Sequence, residues 1–170
     1  SFNDDGFIVK GTKRLLKKFG WYKGDAFHMK MLTLIAQRTG NPNLTFADLH
    51  ELAKTYPFRD LYVTGANLTE QHIEIFSHET YPTMRIADAV RISMSIPLFY
   101  EAIWLDSKGK VWEDGCAECQ LFVDGGLLMN YPVEVFDRPE FIKNIHNTGE
   151  KPFNTETIGL RLERCDQIDY

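Results

Sequence analysis

The stretch LFVDGGLLMNYP, residues 121–132, constrains the fold of this chain more than any other. Three apolar residues of a buried strand end at Asp124, and Gly125 and Gly126 follow directly. Open α/β sheets place their functional residues at the carboxyl ends of strands, where the loops diverge. Two residues without a β-carbon let the chain adopt a positive φ and turn away. The pattern predicts a carboxylate that projects from the end of a strand, although Asp-Gly is also common in purely structural turns.

The rest of the chain alternates between helical and strand patterns. Asp25 and Gly40 mark the predicted ends of one helix, and Thr45 with Asp48 forms a predicted capping box at the start of a second. Interleaved helices and strands favour a layered α/β fold, with residues 1–170 as one domain. The predicted helices cover 24–40, 45–57 and 84–97; the predicted strands cover 60–68, 72–79, 120–124 and 155–163; a surface loop covers 106–119.

Charge and composition exclude several classes of function. The chain has 19 basic and 24 acidic residues, a net charge of −5, and therefore lacks the positive footprint that nucleic-acid binding needs. No apolar run reaches the roughly 18–20 residues that span a bilayer. Three cysteines, an odd number, argue against a complete disulfide framework and favour a reducing compartment. A basic cluster is predicted to be a solvated helix face, or less favourably a contact with anionic lipid; it comprises Lys10, Lys13, Arg14, Lys17 and Lys18.

Two segments in order, ADAVRISMSIPLFYEA and LFVDGGLLMNYPVEVFD, resemble the patatin-like phospholipase family. The similarity continues upstream in GWYKGDAFHMKML and LTFADL and downstream in TIGLRLE, so it spans roughly residues 20–163. Several ordered motifs make this resemblance specific. The matching positions are Ala87, Arg91, Ser93, Ser95, Ile96, Pro97, Phe99, Asp124, Gly125, Gly126, Asn130 and Pro132.

The resemblance implies a three-layer α/β/α sandwich and a lipid acyl hydrolase of phospholipase A type. In that family a serine attacks the ester carbonyl and an aspartate acts as the base, without a histidine between them. By this match Asp124 is the base, Gly125 and Gly126 form its turn, and Asn130 and Pro132 support the return of the chain. The scheme requires no metal and no organic cofactor. The implied partners are a phospholipid substrate and a transient membrane surface, in a cytoplasmic or membrane-peripheral protein or a secreted effector.

The nucleophile of that family, a serine in G-x-S-x-G, is absent from this sequence. The resemblance therefore implies that the fold is incomplete here, without its N-terminal strands and nucleophile elbow, and that the chain alone is inactive. By the same resemblance, the expected partner of this chain is the missing N-terminal part of the same domain. Of the five serines, Ser93 and Ser95 lie in the matching helix, where small side chains are predicted to allow close packing.

Three alternatives remain open. The chain could be a catalytically inactive module that binds lipid or protein, since fold does not fix function. Asp124 and His146 could instead be the last members of a Ser-Asp-His triad in an α/β-hydrolase. A zinc site built from Cys116, Cys119 and Cys165 with His146 is disfavoured, because structural zinc usually takes two close ligand pairs. The other histidines lie on predicted helix or strand surfaces with nothing that marks them as ligands; they are His28, His50, His72 and His78.

Overall fold

The structure, a computed structural model, describes residues 4–142 and 154–160. It has the mixed helix and sheet content of the predicted α/β class. Two compact units divide between Leu128 and Met129. The first unit contains α1 (Asp4–Lys18), β1 (Gly20–Tyr22), α2 (Asp25–Thr39), α3 (Phe46–Ala53), β2 (Val63–Asn67), β3 (His72–Phe76), α4 (Ile86–Ser93), β4 (Leu98–Tyr100), β5 (Ile103–Leu105), β6 (Val111–Trp112), β7 (Gln120–Asp124) and a 3-10 turn (Gly125–Leu127).

A five-stranded sheet forms the centre of the first unit, in the order β3-β2-β7-β5-β6. Every neighbouring pair in this sheet is antiparallel, and the two strands predicted over 60–68 and 72–79 appear as β2 and β3, which form a hairpin. Strand β7 occupies the middle position and is buried over its three central residues, as its apolar run predicts. Helix α4 packs on β2 and β7 and contributes a largely buried surface to the core. The fully buried large side chains of the core include Phe46, Phe76, Met84, Ile92, Leu105, Phe122 and Val123.

Of the three predicted helix-end signals, two are confirmed and one is wrong, and the helices predicted over 45–57 and 84–97 end earlier, at Ala53 and Ser93. Thr45 and Asp48 form the predicted capping box, in which each side chain accepts a hydrogen bond from the other residue's backbone N–H. Gly40 ends α2 in the left-handed conformation with φ 78°. The predicted N-cap, Asp25, is wrong: Gly24 occupies that position at φ 77°, and Asp25 is the first helical residue. In the first turn, the carboxylate of Asp25 still interacts favourably with the positive end of the helix dipole.

Strands β1 and β4 form a separate, parallel two-stranded sheet. Gly20 pairs with Leu98, and a β-carbon at Gly20 would stand 2.0 Å from the carbonyl carbon of Tyr100. The two backbones approach this closely only because Gly20 has no side chain. Leu98 takes a positive φ of 68° and is 68% exposed.

Two segments differ from the sequence predictions. The loop 106–119 contains strand β6, and Cys116 and Cys119 form a disulfide rather than free thiols. The strand predicted over 155–163 is wrong for its described part, because residues 155–160 contain no strand. Ile158 and Leu160, expected to share a buried face, are 89% and 92% exposed. Leu162 and the rest of that segment lie outside the described residues.

The second unit, from Met129 onward, is described over residues 129–142 and 154–160. These described residues include the 3-10 turn Val133–Phe136, which follows Pro132. Asp137 accepts a hydrogen bond from the backbone N–H of Asn154 at 2.7 Å. No helix in the described part of the chain is long and apolar enough to cross a membrane.

Candidate active site

Asp124 lies at the carboxyl end of β7, the central strand of the sheet, where the sequence pattern placed it. It pairs with Gly65 of β2, and its backbone N–H donates to the carbonyl oxygen of Ser95 at 3.0 Å. The residue is half-buried, whereas the three residues before it are buried. The sheet and the segment after α4 therefore hold the backbone of Asp124 while its side chain stays accessible.

The carboxylate of Asp124 caps the turn that follows it. Its Oδ1 accepts a hydrogen bond from the backbone N–H of Gly126 at 2.9 Å, which closes the 3-10 turn Gly125–Leu127. Among the described residues, no basic side chain pairs with this carboxylate. One carboxylate oxygen can thus orient the group while the other remains available to accept a proton.

The sequence pattern predicts that Gly125 is required for a turn with positive φ, but the structure shows a different requirement. Neither Gly125 nor Gly126 is among the described glycines with positive φ. A β-carbon at Gly125 would instead lie 2.4 Å from Oγ1 of Thr64 and 2.8 Å from the Thr64 carbonyl carbon. The turn therefore depends on a close approach of the end of β7 to β2. The prediction that these glycines adopt a positive φ is wrong, and Gly125 is needed because a side chain would not fit.

Arg91 and Ser95 anchor the position of Asp124 from beneath. Ser95 is fully buried, its hydroxyl donates to the carbonyl of Arg91 at 2.7 Å, and it accepts from the Arg91 guanidinium at 2.5 Å. A second guanidinium nitrogen of Arg91 donates to the carbonyl of Lys23. Burial lowers the pKa of Arg91 from its ordinary value, against the opposing effect of Glu101. The hydroxyl of Ser95 is therefore committed to holding this segment together.

Other residues considered from the sequence lie in the second unit, at the end of α4 or outside the described residues. Asn130 and Pro132 belong to the second unit; Asn130 is exposed, and Pro132 precedes the turn Val133–Phe136. Ser93, the last residue of α4, is half-buried. His146, the third member of the alternative triad, lies outside the described residues, as does Cys165 of the alternative zinc site.

A cavity of about 320 Å³ in the first unit has a charged lining, and Asp124 is not among its lining residues. Asp88 accepts there from His28 at 2.9 Å and from Arg85 at 2.7 and 2.9 Å. Glu101 pairs with Arg14 at 2.9 Å, and burial raises the pKa of the Glu101 carboxyl. Asp88 and Glu101 already have cationic partners. The charged side chains that line this cavity, Arg91 among them, therefore form a structural network.

One cluster escaped the sequence analysis. His50, Asp60 and His78 offer one ligand atom each, and these three atoms lie within 4.8 Å of one another. The three residues come from α3, the segment after α3 and the turn after β3, so no local spacing in the sequence links them. The sequence does not mark His50 and His78 as ligands, but the fold brings both of them next to Asp60.

The family of the chain follows from comparison with known protein sequences. The sequence model of the Patatin-like phospholipase family matches residues 7–137, more than half of the chain. The chain therefore belongs to the patatin-like phospholipase family. The match includes Asp124 and the whole first unit beyond residue 6.

Two viral proteins are similar to this chain. An uncharacterized protein of Acanthamoeba polyphaga mimivirus is 30% identical over 123 residues, which are 72% of this chain and 35% of that protein. A protein of Invertebrate iridescent virus 6, named a probable lipid hydrolase, is 24% identical over 95 residues, 51% of this chain and 29% of that protein. The chain thus spans about a third of the length of these relatives.

Proposed function

We propose that the complete protein hydrolyses the acyl esters of phospholipids, with Asp124 as the general base of a Ser-Asp dyad. The observation that carries this proposal is the accessible carboxylate of Asp124, held at the end of the central strand by Ser95 and Gly126. Among the described residues, no basic side chain pairs with this carboxylate, so no ion pair there occupies the group that would accept the proton. Membership of the patatin-like family supports the same role.

The proposed chemistry needs a serine from outside these 170 residues, because the sequence contains no G-x-S-x-G. The serine oxygen attacks the ester carbonyl while its proton passes to the Asp124 carboxylate. Backbone N–H groups stabilise the negative oxygen that develops, and the leaving alcohol takes the proton as the acyl-enzyme forms. Water then attacks the acyl-enzyme, again with Asp124 as base, and releases the fatty acid.

The proposed substrate is a lipid presented at a membrane surface. The iridescent virus relative is named a probable lipid hydrolase, which favours a lipid substrate for this chain. Leu127 and Leu128, which follow the Asp124 turn directly, are 54% and 53% exposed. Exposed leucines beside the base suit contact with acyl chains, because burying their surface in lipid is favourable. We propose a membrane-peripheral protein in which residues 1–170 form part of one catalytic domain.

The test is Asp124→Asn in the complete polypeptide that carries this sequence, assayed with phosphatidylcholine micelles and a soluble short-chain ester. Asparagine keeps an oxygen that can accept from the Gly126 N–H, so the turn should persist while the base is lost. We expect kcat to fall by about 10²–10⁴-fold with little change in Tm. Asp114→Asn, an exposed acid in the loop before β7, is the matched control and should retain activity.

Two results would contradict the proposal. Full esterase activity in Asp124→Asn would place the base elsewhere, and His146→Ala would then test the triad alternative. A wild-type protein that binds phospholipid vesicles but never hydrolyses them would favour the non-catalytic binding module.

A further inference from the structure

We infer that His50, Asp60 and His78 form a site for a divalent transition-metal ion, with zinc as the best match. The site lies in the first unit and is independent of the Asp124 turn and of the proposed esterase activity. Nδ1 of His50 lies 2.9 Å from Oδ1 of Asp60, and Nδ1 of His78 lies 3.7 Å from the same oxygen. All three candidate ligand atoms fall within 4.8 Å of one another.

These separations suit a small tetrahedral ion. Bonds of about 2.0–2.1 Å from zinc to nitrogen and oxygen place neighbouring ligand atoms about 3.3 Å apart in tetrahedral geometry. The observed 2.9 and 3.7 Å bracket that value, and the remaining pair lies within 4.8 Å, so one ion could bind all three atoms once the histidine rings reorient. Two imidazole nitrogens and one carboxylate favour zinc, cobalt or nickel over calcium and magnesium, which prefer oxygen ligands.

A second, independent observation points to a ligand at this position. Nδ1 of His78 is buried and has no hydrogen-bond partner, although it faces the Asp60 carboxylate. Buried polar atoms in folded proteins almost always have a partner, and each exception asks for an explanation such as a missing ion. Asp60 accepts a hydrogen bond from His50, but its distance to His78 is too long for another.

The two histidine rings are stacked, with their centroids 4.1 Å apart and their planes at 10°. A metal bond lies along the lone pair in the plane of each ring, so parallel rings cannot both point at one ion. Binding would therefore open the angle between the rings as both Nδ1 atoms close on the ion. The side chains of His50 and Asp60 are 36% and 31% exposed, which leaves room for that movement and for a water molecule as fourth ligand.

The bound ion would join three segments of the first unit. His50 lies in α3, Asp60 in the segment between α3 and β2, and His78 in the turn after β3. Closing these segments onto one ion would fix the chain between α3 and the sheet. An ion that binds only the folded state raises the thermal stability of the protein.

The test is a zinc titration of the complete protein after dialysis against EDTA. We expect one ion per chain, and a rise in Tm of about 5–10 °C at a hundredfold excess of zinc over its Kd. His50→Ala and His78→Ala should each weaken zinc binding by at least about tenfold. His72→Ala is the matched control, because His72 is another exposed histidine beside carboxylates, and it should bind zinc as the wild type does.

Nuclear magnetic resonance of the histidine ring nitrogens in the unaltered protein gives a readout that does not depend on variants folding. Zinc should shift Nδ1 of His50 and His78 and leave His28 and His72 unchanged. Absence of binding, or shifts confined to other histidines, would overturn the inference. Equal loss of affinity in His72→Ala and His78→Ala would show nonspecific surface binding and would also overturn it.

Discussion

At the scale of single residues, the position of Asp124 depends on the contacts that Gly125 and Ser95 make. Gly125 lets β7 pass close to Thr64, and Ser95 offers its carbonyl to Asp124 while its hydroxyl is held by Arg91. The backbone of the proposed base is therefore fixed on two sides. A small error in either contact would move the carboxylate, and reaction rates are sensitive to displacements of about 1 Å.

Gly125→Ala tests this dependence. The new β-carbon would meet Thr64 at 2.4 Å, and Thr64 backbone atoms cannot move without disturbing β2. We expect a loss of about 1–3 kcal/mol in the free energy of unfolding, measured with denaturant, together with loss of esterase activity.

Gly40→Ala is the control for that substitution. Gly40 has φ 78° but nothing within 4 Å of its absent β-carbon, so only backbone strain opposes alanine. We expect a cost of about 1 kcal/mol with unchanged activity. Equal stability and activity of Gly125→Ala and the wild type would show that the contact with Thr64 does not position the turn.

At the scale of elements, the β2–β3 hairpin carries an ionic contact that gives it a pH dependence. The ring of His72 lies 3.0 Å from the Glu74 carboxylate, and this hydrogen bond, more than the charge of Glu70, raises the pKa of His72 above 6.5. A raised pKa means that the charged histidine favours the folded state. Its contribution to stability is therefore complete below the ordinary pKa and is lost as pH rises through the folded-state pKa.

Titration of His72 by nuclear magnetic resonance checks this contact. We expect the His72 pKa to lie above 6.5 in the wild type and to fall toward that value in Glu74→Gln. Glu51→Gln, on α3, should leave it unchanged. A His72 pKa that does not respond to Glu74→Gln would mean that the hydrogen bond does not persist in solution.

At the scale of the whole molecule, the sequence predicts what is encoded locally. The capping box of Thr45 and Asp48 and the strand that ends at Asp124 depend on neighbouring residues, and both appear as expected. Contacts distant in sequence did not emerge from pattern alone. Arg91 reaches the carbonyl of Lys23, 68 positions away, and the histidine cluster assembles from three segments.

Local patterns also failed where tertiary context decides. The alternation of Ile158, Leu160 and Leu162 is typical of a strand, but an apolar alternation forms a strand only where a neighbouring strand and a core accept it. Ile158 and Leu160 are exposed, and the described residues of the second unit contain no strand that could pair with this segment. Likewise, spacing alone does not decide whether Cys116 and Cys119 are thiols, metal ligands or the disulfide they form.

The charge of these 170 residues bears on the proposed contact with a membrane. Their net charge of −5 gives no general attraction to anionic lipid, so adsorption through this part of the protein would depend on apolar side chains or on local basic residues. Leu98 and Phe99, in the parallel pair β1–β4, are 68% and 49% exposed. Burying such side chains in lipid contributes about 1.5–3 kcal/mol each.

We therefore expect the complete protein to sediment with phosphatidylcholine vesicles, and added phosphatidylserine to change binding little. Leu98→Asn removes the apolar side chain without new backbone strain, because asparagine tolerates the positive φ at this position. With Phe99→Ser, it should lower the vesicle partition coefficient by about tenfold or more. Tyr56→Ser, a change at an exposed aromatic residue after α3, should have no effect. Strong dependence on phosphatidylserine, with no loss in these two variants, would instead assign lipid binding to the basic residues of α1, which are Lys10, Lys13, Arg14, Lys17 and Lys18.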